Sequence, residues 1–254
     1  MKEDLQYINS IMRAINILEI MAEEGLSMGI TDISKRLDLH KSTTFNIVKT
    51  LEKCGWLVQN KQTNLYHIGF GPLKVAASAL QNNNERDAIL HEMETIAQTI
   101  NEDVVLSAVS SGVGLCIEKC VSNNALVTSS KPGSTVPLHR GATGKILLAF
   151  QSEKFIDAVY QDNQDDIPVS RQQFEESLRK IKAQRYSFTS AEFDDGVSAI
   201  AVPVMDAGGA FLYGLSVAGP IARIEEKGVS DIVCQLTQAA RRITDHIRIL
   251  SIKL

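Results

Sequence analysis

The sequence predicts an α+β protein in which a small helical unit closed by a β-hairpin precedes a larger unit built on an antiparallel sheet. Three observations predict it. Within the first seventy residues, three helical patterns are followed by two β-prone runs around a polar turn. Beyond residue 100, five β-rich runs alternate irregularly with helical patterns, without the regular βαβ repeat of a parallel sheet. At 254 residues the chain also exceeds the usual size of one domain, so two domains of unequal size are expected.

The first helix is read from Ile8, Ile11, Ile15, Leu18 and Met21, which recur at three- and four-residue steps and form the stripe expected to be buried. After Glu23-Glu24-Gly25, the run from Ile30 to Leu37 reads as a short second helix, with Thr31 as its cap and Ile33 and Leu37 on one face. A turn over Asp38–Lys41 leads to a third helix, Ser42–Cys54, ended by Gly55 in a left-handed conformation. Its periodicity turns Thr44, Ile47, Val48, Leu51 and Cys54 inward. Ser42, Asn46, Lys49 and Lys53 fall on the outer line, which carries no acid. Trp56–Gln59 and Leu65–Ile68 flank the polar stretch Asn60–Asn64 and read as a hairpin.

Charge gives this unit a direction. The chain has a net charge of −4, yet Lys35, Arg36, Lys41, Lys49, Lys53 and Lys61 face only Asp38 and Glu52 across one short window. That window is locally +4, and the remainder is −8. A positive island on an acidic protein suits a compact DNA reader attached to a module of another kind, although a solvated helix face would also show it. Short helices followed by a hairpin occur in protein-docking domains as well. The combination favours DNA: Asn46 can read an adenine edge, Lys41, Ser42 and Thr43 stand near the helix N-terminus that enters a major groove, and Lys49, Lys53 and Lys61 neutralise phosphates.

Gly69-Phe70-Gly71-Pro72 punctuates the end of the hairpin. The run Leu73–Leu80 reads as a connecting helix, giving a domain division of 1–70, a linker helix over 71–84 and a second domain over 85–254. In the second domain Val104–Val109, Leu115–Cys120, Ala125–Ser129, Ile200–Val204 and Phe211–Ala218 are the expected strands. Ala142–Phe150, Glu153–Tyr160, Gln172–Ala183 and a closing run from Val229 to Ile247 are the expected helices.

Several functions are set aside. Hydrophobic residues at 44% and charged residues at 22% are globular values, which excludes collagen-like, disordered and disulfide-dense classes. The opening Met1-Lys2-Glu3-Asp4 has acids where a secretory signal has bases, and no apolar run reaches the roughly 20 residues that span a bilayer, so a cytoplasmic protein without a membrane partner is expected. Cys54, Cys116, Cys120 and Cys234 form no CxxC pair and are read as buried thiols. Cys116, Cys120 and His139 are the one zinc trio to consider, but a four-residue spacing fits a two-stranded turn as readily, so no metal and no cofactor are expected. Gly141-Ala142-Thr143-Gly144-Lys145 fails the Walker pattern at His139 and Ile146, and neither GxSxG nor HExxH occurs. Asp194-Asp195 and Glu225-Glu226 read as solvated acids, and no enzyme activity is expected.

Taken together, Ile30-Thr31-Asp32-Ile33-Ser34 with Lys41-Ser42-Thr43-Thr44, then Gly55-Trp56-Leu57, Pro137-Leu138-His139 with Gly144–Ala149, Glu192, Gly196-Val197, Ala199–Val204 and Leu215–Pro220 resemble the IclR family of bacterial regulators over the whole chain. The resemblance implies a winged helix-turn-helix joined by a linker helix to a GAF-like effector-binding domain. It further implies homodimers that can pair into homotetramers, double-stranded operator DNA as partner, and a small-molecule effector, most often an organic, aromatic or sugar-derived acid. Repression is the commoner mode among relatives. The matching pocket positions are Thr128, Val136, Ala142, Thr143, Thr189, Ala199, Ser216 and Ala218. Thr143, Ser216 and the amides near Ala142 are the expected donors to a carboxylate, with Val136 and Ala199 as apolar wall. Three positions depart from many relatives. Asn46 stands where Arg is common, Arg140 follows the motif His and places a cation near the pocket entrance, and Ala218 replaces a serine.

Overall fold

The computed structural model describes residues 8–25, 27–79, 83–122 and 130–251, and the chain divides into two compact units, Met1–Asn82 and Asn83–Leu254. The expected strand Ala125–Ser129 lies outside the described residues.

The first unit packs α1 (Asn9–Glu24), α2 (Ile30–Arg36) and α3 (Lys41–Lys53) around Ile17, Met21, Met28, Ile33, Val48, Leu57 and Tyr66. The buried stripe of α1 follows the expected one only in part: Met21 is buried and Leu18 packs against the core as expected. Ile17 and Met21 are sealed, whereas Ile8, Ile11 and Ile15 are 63%, 55% and 43% exposed. At 100° per residue the two sets occupy opposite sides of the helix, so α1 carries two apolar faces, and the expected stripe ran across both. The start of α2 also differs. Met28 and Tyr66 exchange both backbone hydrogen bonds at 2.9 Å, which keeps the chain extended up to Gly29, and Gly29 rather than Thr31 is the N-cap residue. Thr31 lies inside the helix, where its carbonyl accepts from the Ser34 hydroxyl.

At the other end of α3, Gly55 takes φ +75° and its amide bonds to the Glu52 carbonyl. Cys54, expected inside, is exposed because it follows the helix proper and faces away from the core. Strands β1 (Leu57–Gln59) and β2 (Tyr66–Ile68) pair antiparallel with Gln59 opposite Tyr66. The turn between them is ordered by the Asn60 side chain, which accepts from the amides of Gln62 and Thr63. Helix α4 (Gly71–Ala79) follows.

The second unit has one six-stranded antiparallel sheet in the order β5-β4-β3-β8-β7-β6, where β3 is Asp103–Ser110, β4 Val113–Cys120, β5 Thr135–Val136, β6 Ser187–Ser190, β7 Val197–Met205 and β8 Phe211–Pro220. The alternation of side chains across the pleat gives the sheet two buried faces. Val104, Leu106, Ile200, Val202, Val204, Leu215 and Val217 form a core with α5 (Asn83–Ile100) and α10 (Val229–Ser251). Ala201 belongs to a second core with α6 (Gly141–Ala149), α7 (Glu153–Asp162) and α8 (Arg171–Gln184). Strands β5 and β6 and the short α9 (Ile221–Lys227) had no sequence expectation, being too short for periodicity to register.

One glycine fixes the position of α6. A Cβ on Gly144 would lie 2.1 Å from the Pro137 carbonyl oxygen, so only glycine lets the second turn of the helix approach the preceding segment. The spacing that superficially suggested a phosphate loop is a packing requirement.

Candidate nucleic-acid interface and effector cavity

On α3, Lys41, Ser42, Asn46 and Lys53 are exposed and Thr43 is half-buried, while Lys61 stands exposed in the hairpin tip. These six residues meet solvent on the helix and the wing of one unit. Lys49 behaves differently. Its Nζ lies 2.8 Å from Glu52 Oε2 and 3.2 Å from Gln59 Oε1 on β1, and 5.4 Å from the Tyr66 ring centroid. The hydrogen bond to Glu52 holds the ammonium above the ordinary lysine value. Glu52, one position off the expected outer line, therefore claims the lysine, which ties the base of the wing to the helix. Phe45 was missed. It is 47% exposed between the polar residues of the outer face, where an aromatic ring can meet a thymine methyl group.

In the second unit a cavity of about 60 Å³ lies at the N-terminus of α6, under the loop joining β6 to β7. Of the expected pocket residues, Val136, Ala142, Thr143, Thr189, Ala199 and Ala218 line it. Thr128 lies outside the described residues. Ser216 is buried behind the wall: Thr143 Oγ1 donates to its hydroxyl at 3.1 Å, and that hydroxyl donates onward to the Val105 carbonyl at 3.4 Å. The Ala142 amide donates to Thr189 Oγ1 at 3.1 Å. Three donors assigned to a ligand are thus already engaged within the protein, because the end of the sheet and the start of the helix satisfy each other's buried polar groups.

The remaining lining comes from Ser130, Arg140, Gly141, Gly144, Phe193, Asp194 and Val197. Arg140 Nε donates to the Glu192 carbonyl, and the Glu192 carboxylate pairs with Lys145. Asp194, read from sequence as a solvated acid, lines the mouth. Nothing in a turn-like Phe-Asp-Asp-Gly run signals that it folds over a helix 50 residues earlier in the chain. A wider groove of about 340 Å³ between α7 and α8 is lined by charges of both signs, and its Arg171 is already held by Asp157 and Glu175.

Cys116 and Cys120 lie on one strand, β4, rather than across a turn. Among the described residues no group of three His, Cys, Asp or Glu side chains is placed to hold a metal ion, and no helix is long and apolar enough to cross a membrane. Burial pushes the Cys120 thiol up to about 11. Burial also depresses His139, which immediately precedes Arg140 and α6.

A winged helix-turn-helix carrying an outward polar face is the architecture of a DNA-binding regulator, and an α+β unit with a lined cavity follows it in the chain. Residues 10–61 match the IclR helix-turn-helix domain, and residues 77–245 match the family described as bacterial transcriptional regulator IclR C-terminal. The chain belongs to the IclR family of bacterial transcriptional regulators, which are not enzymes. It is 27% identical to the HTH-type transcriptional regulator KdgR of Escherichia coli strain K12 over 93% of this chain and 92% of that protein. It is also 27% identical to XynR of the same organism, over 91% and 94% of the two chains. The fold is that of an IclR regulator from Alicyclobacillus acidocaldarius (TM-score 0.82, 20% identity, 95% of this chain and all of that one). An IclR homolog of Microbacterium hydrocarbonoxydans complexed with 4-hydroxybenzoate shares it too (TM-score 0.78, 20% identity, 94% and 98%).

Proposed function

We propose that the protein is a cytoplasmic repressor whose grip on operator DNA is controlled by a small organic or sugar-derived acid bound at the start of α6. The observation that carries this reading is one cavity that combines threonine hydroxyls, an apolar wall and Arg140 at its mouth, on the same chain as an outward-facing recognition helix. Hydroxyl-bearing walls and one cation suit a hydroxylated carboxylate. A relative at 26% identity is the repressor AllR of Klebsiella pneumoniae, and the 4-hydroxybenzoate complex shows an acid bound by a protein of the same fold.

Lys41, Ser42, Thr43, Asn46, Lys53 and Lys61 contact DNA in this reading, with Asn46 reading a base and the lysines contacting phosphates. Lys49 orients the wing. Residues 1–70 form the DNA-binding domain, 71–84 the linker and 85–254 the effector-binding domain. The protein acts as a homodimer, or as a tetramer of two such dimers. The exposed apolar faces of α1 (Ile8, Ile11, Met12, Ile15) and α4 (Leu73, Val75) support this, because a second copy would cover them. Two recognition helices would then read half-sites about one DNA turn apart. The effector acts by favouring one arrangement of the pair through the linker, and it needs only unequal affinity for the two states. Footprinting on the DNA upstream of the protein's own gene tests this. A two-fold symmetric footprint that an acid weakens is expected, and protection without symmetry, or without any acid response, would contradict it.

A further inference from the structure

The β6–β7 loop sets one of its own carboxylates beside the Gly141 amide at the edge of the cavity; Gly141 belongs to the cavity lining, whereas Glu192 and Lys145 do not. Glu192 Oε1 lies 2.5 Å from Lys145 Nζ and 3.4 Å from the Gly141 amide, the first of α6, while the Glu192 carbonyl accepts from Arg140 Nε. One residue thus meets a lysine, a helix-terminal amide and an arginine at this end of the helix. The Glu192 side chain is 31% exposed, so the pair is partly hydrated and readily exchanged.

The loop over the cavity is a tight turn, tied to the start of α9, directly after β8, by the Ile221 amide bonding to the Gly196 carbonyl. Ala191 at φ +51° and Gly196 at φ +74° bound it, the Ala191 amide bonds to Val197, and the Val197 amide bonds back to Asp194. Phe193 rests over Gly141, where an added Cβ would come within 3.4 Å of the Phe193 Cβ. With the loop down, the cavity of about 60 Å³ is far below the roughly 300 Å³ of a typical ligand site.

We infer that Glu192 is an internal stand-in for the effector's carboxylate, and that the effector binds by displacing it. This rests on the acid-effector reading above. The ligand carboxylate accepts from Lys145 and Gly141, the Glu192 carboxylate moves to solvent, and Phe193 lifts with the loop to enlarge the cavity. Lys145 exchanges one carboxylate for another and is never left unpaired. A neutral analogue cannot make this exchange, and Asp194 at the mouth disfavours a second negative charge. The ligand class is therefore a monocarboxylate whose other polar atoms are uncharged.

The test uses the full-length protein with sodium acetate as the minimal carboxylate and acetamide as its neutral control. Calorimetric titration reads binding, and hydrogen exchange reads the segment 190–197. In Glu192→Gln the competitor is neutral, and acetate should bind at least about tenfold more tightly than to wild type. Lys145→Met should lose acetate, and acetamide should bind none of the three. In wild type, acetate should speed exchange over 190–197 while slowing it at Gly141. That comparison needs no variant and stands should Glu192→Gln fold poorly. Acetate binding no tighter in Glu192→Gln, or a loop equally protected with and without acetate, overturns the inference. An acid that releases operator DNA while 190–197 stays protected would do so too, leaving the effector reading intact. Displacement by acetate with DNA binding indifferent to every acid would support the exchange and refute the effector reading.

Discussion

Replacing Thr189 by valine isolates the junction on which the cavity is built. The Thr189 hydroxyl is the acceptor for the buried Ala142 amide at 3.1 Å, and valine keeps the shape of the side chain while removing that acceptor. A buried donor left without a partner costs about 1–3 kcal/mol, and loss of a helix cap about 0.5–2 kcal/mol, so a loss of about 1–2 kcal/mol satisfies both. For a domain of 150–250 residues each kcal/mol moves Tm by about 2–4 °C, which gives a fall of about 2–8 °C for the second unit. Differential scanning calorimetry reads it. Trp56, the only tryptophan, lies in the first unit, so the calorimetric transition without a fluorescence change belongs to the second. Thr189→Ser keeps the oxygen and should recover most of the loss. A valine variant melting with the wild type, or a serine variant no better than valine, would refute the assignment of Thr189 as the acceptor for the first turn of α6.

Gly144→Ala should destabilise the same unit by about 3 kcal/mol, since the new methyl meets a backbone carbonyl that cannot step aside; urea denaturation checks it. His139 gives a pH dependence of known sign. Burial lowers its value below 6.5 in the folded state, so its contribution to stability is present above about pH 6.5 and is lost as pH falls toward the depressed value; His139→Gln should flatten that slope in Tm against pH. Iodoacetamide on native protein should label Cys54 and Cys234, which are exposed, well before Cys116 and Cys120, as peptide mapping by mass spectrometry will show. Lys53→Ala should lower the salt slope of operator binding by about one unit in filter-binding titrations, whereas Lys49→Ala, already paired with Glu52, should weaken binding with a smaller change in slope.

The order of helices, hairpin and sheet was legible because long periodic runs announce themselves. Val104–Val109 and Phe211–Ala218 are rich in β-prone residues between turn residues, and Val229–Ile247 repeats at helical spacing. Failures fall where local pattern is ambiguous. Helix α1 carries apolar residues on two faces, and only the fold decides that Ile17, rather than Ile11 and Ile15, joins Met21 inside. Thr31 is a good cap by type, yet a backbone bridge between Met28 and Tyr66, distant in sequence, starts the helix earlier. At the cavity, Thr143, Thr189 and Ala199 could be placed through a family resemblance, but their hydrogen bonding could not. Which donors are already engaged depends on strands and helices up to 111 residues apart, as in the bond from Ser216 to Val105. The loop residues Phe193 and Asp194 carry no signal of their own, because a turn sequence does not say what lies beneath it.

The central claim is that an acid in the α6 cavity controls DNA binding by the other unit. A gel-shift titration on the DNA upstream of the protein's own gene, with and without a panel of organic and sugar acids, tests it when wild type is run beside Ala199→Trp, which fills the cavity. The account predicts that both proteins bind that DNA specifically and that an acid changes the affinity of wild type alone. Equal responses in the two proteins, or no binding above random DNA, would contradict it.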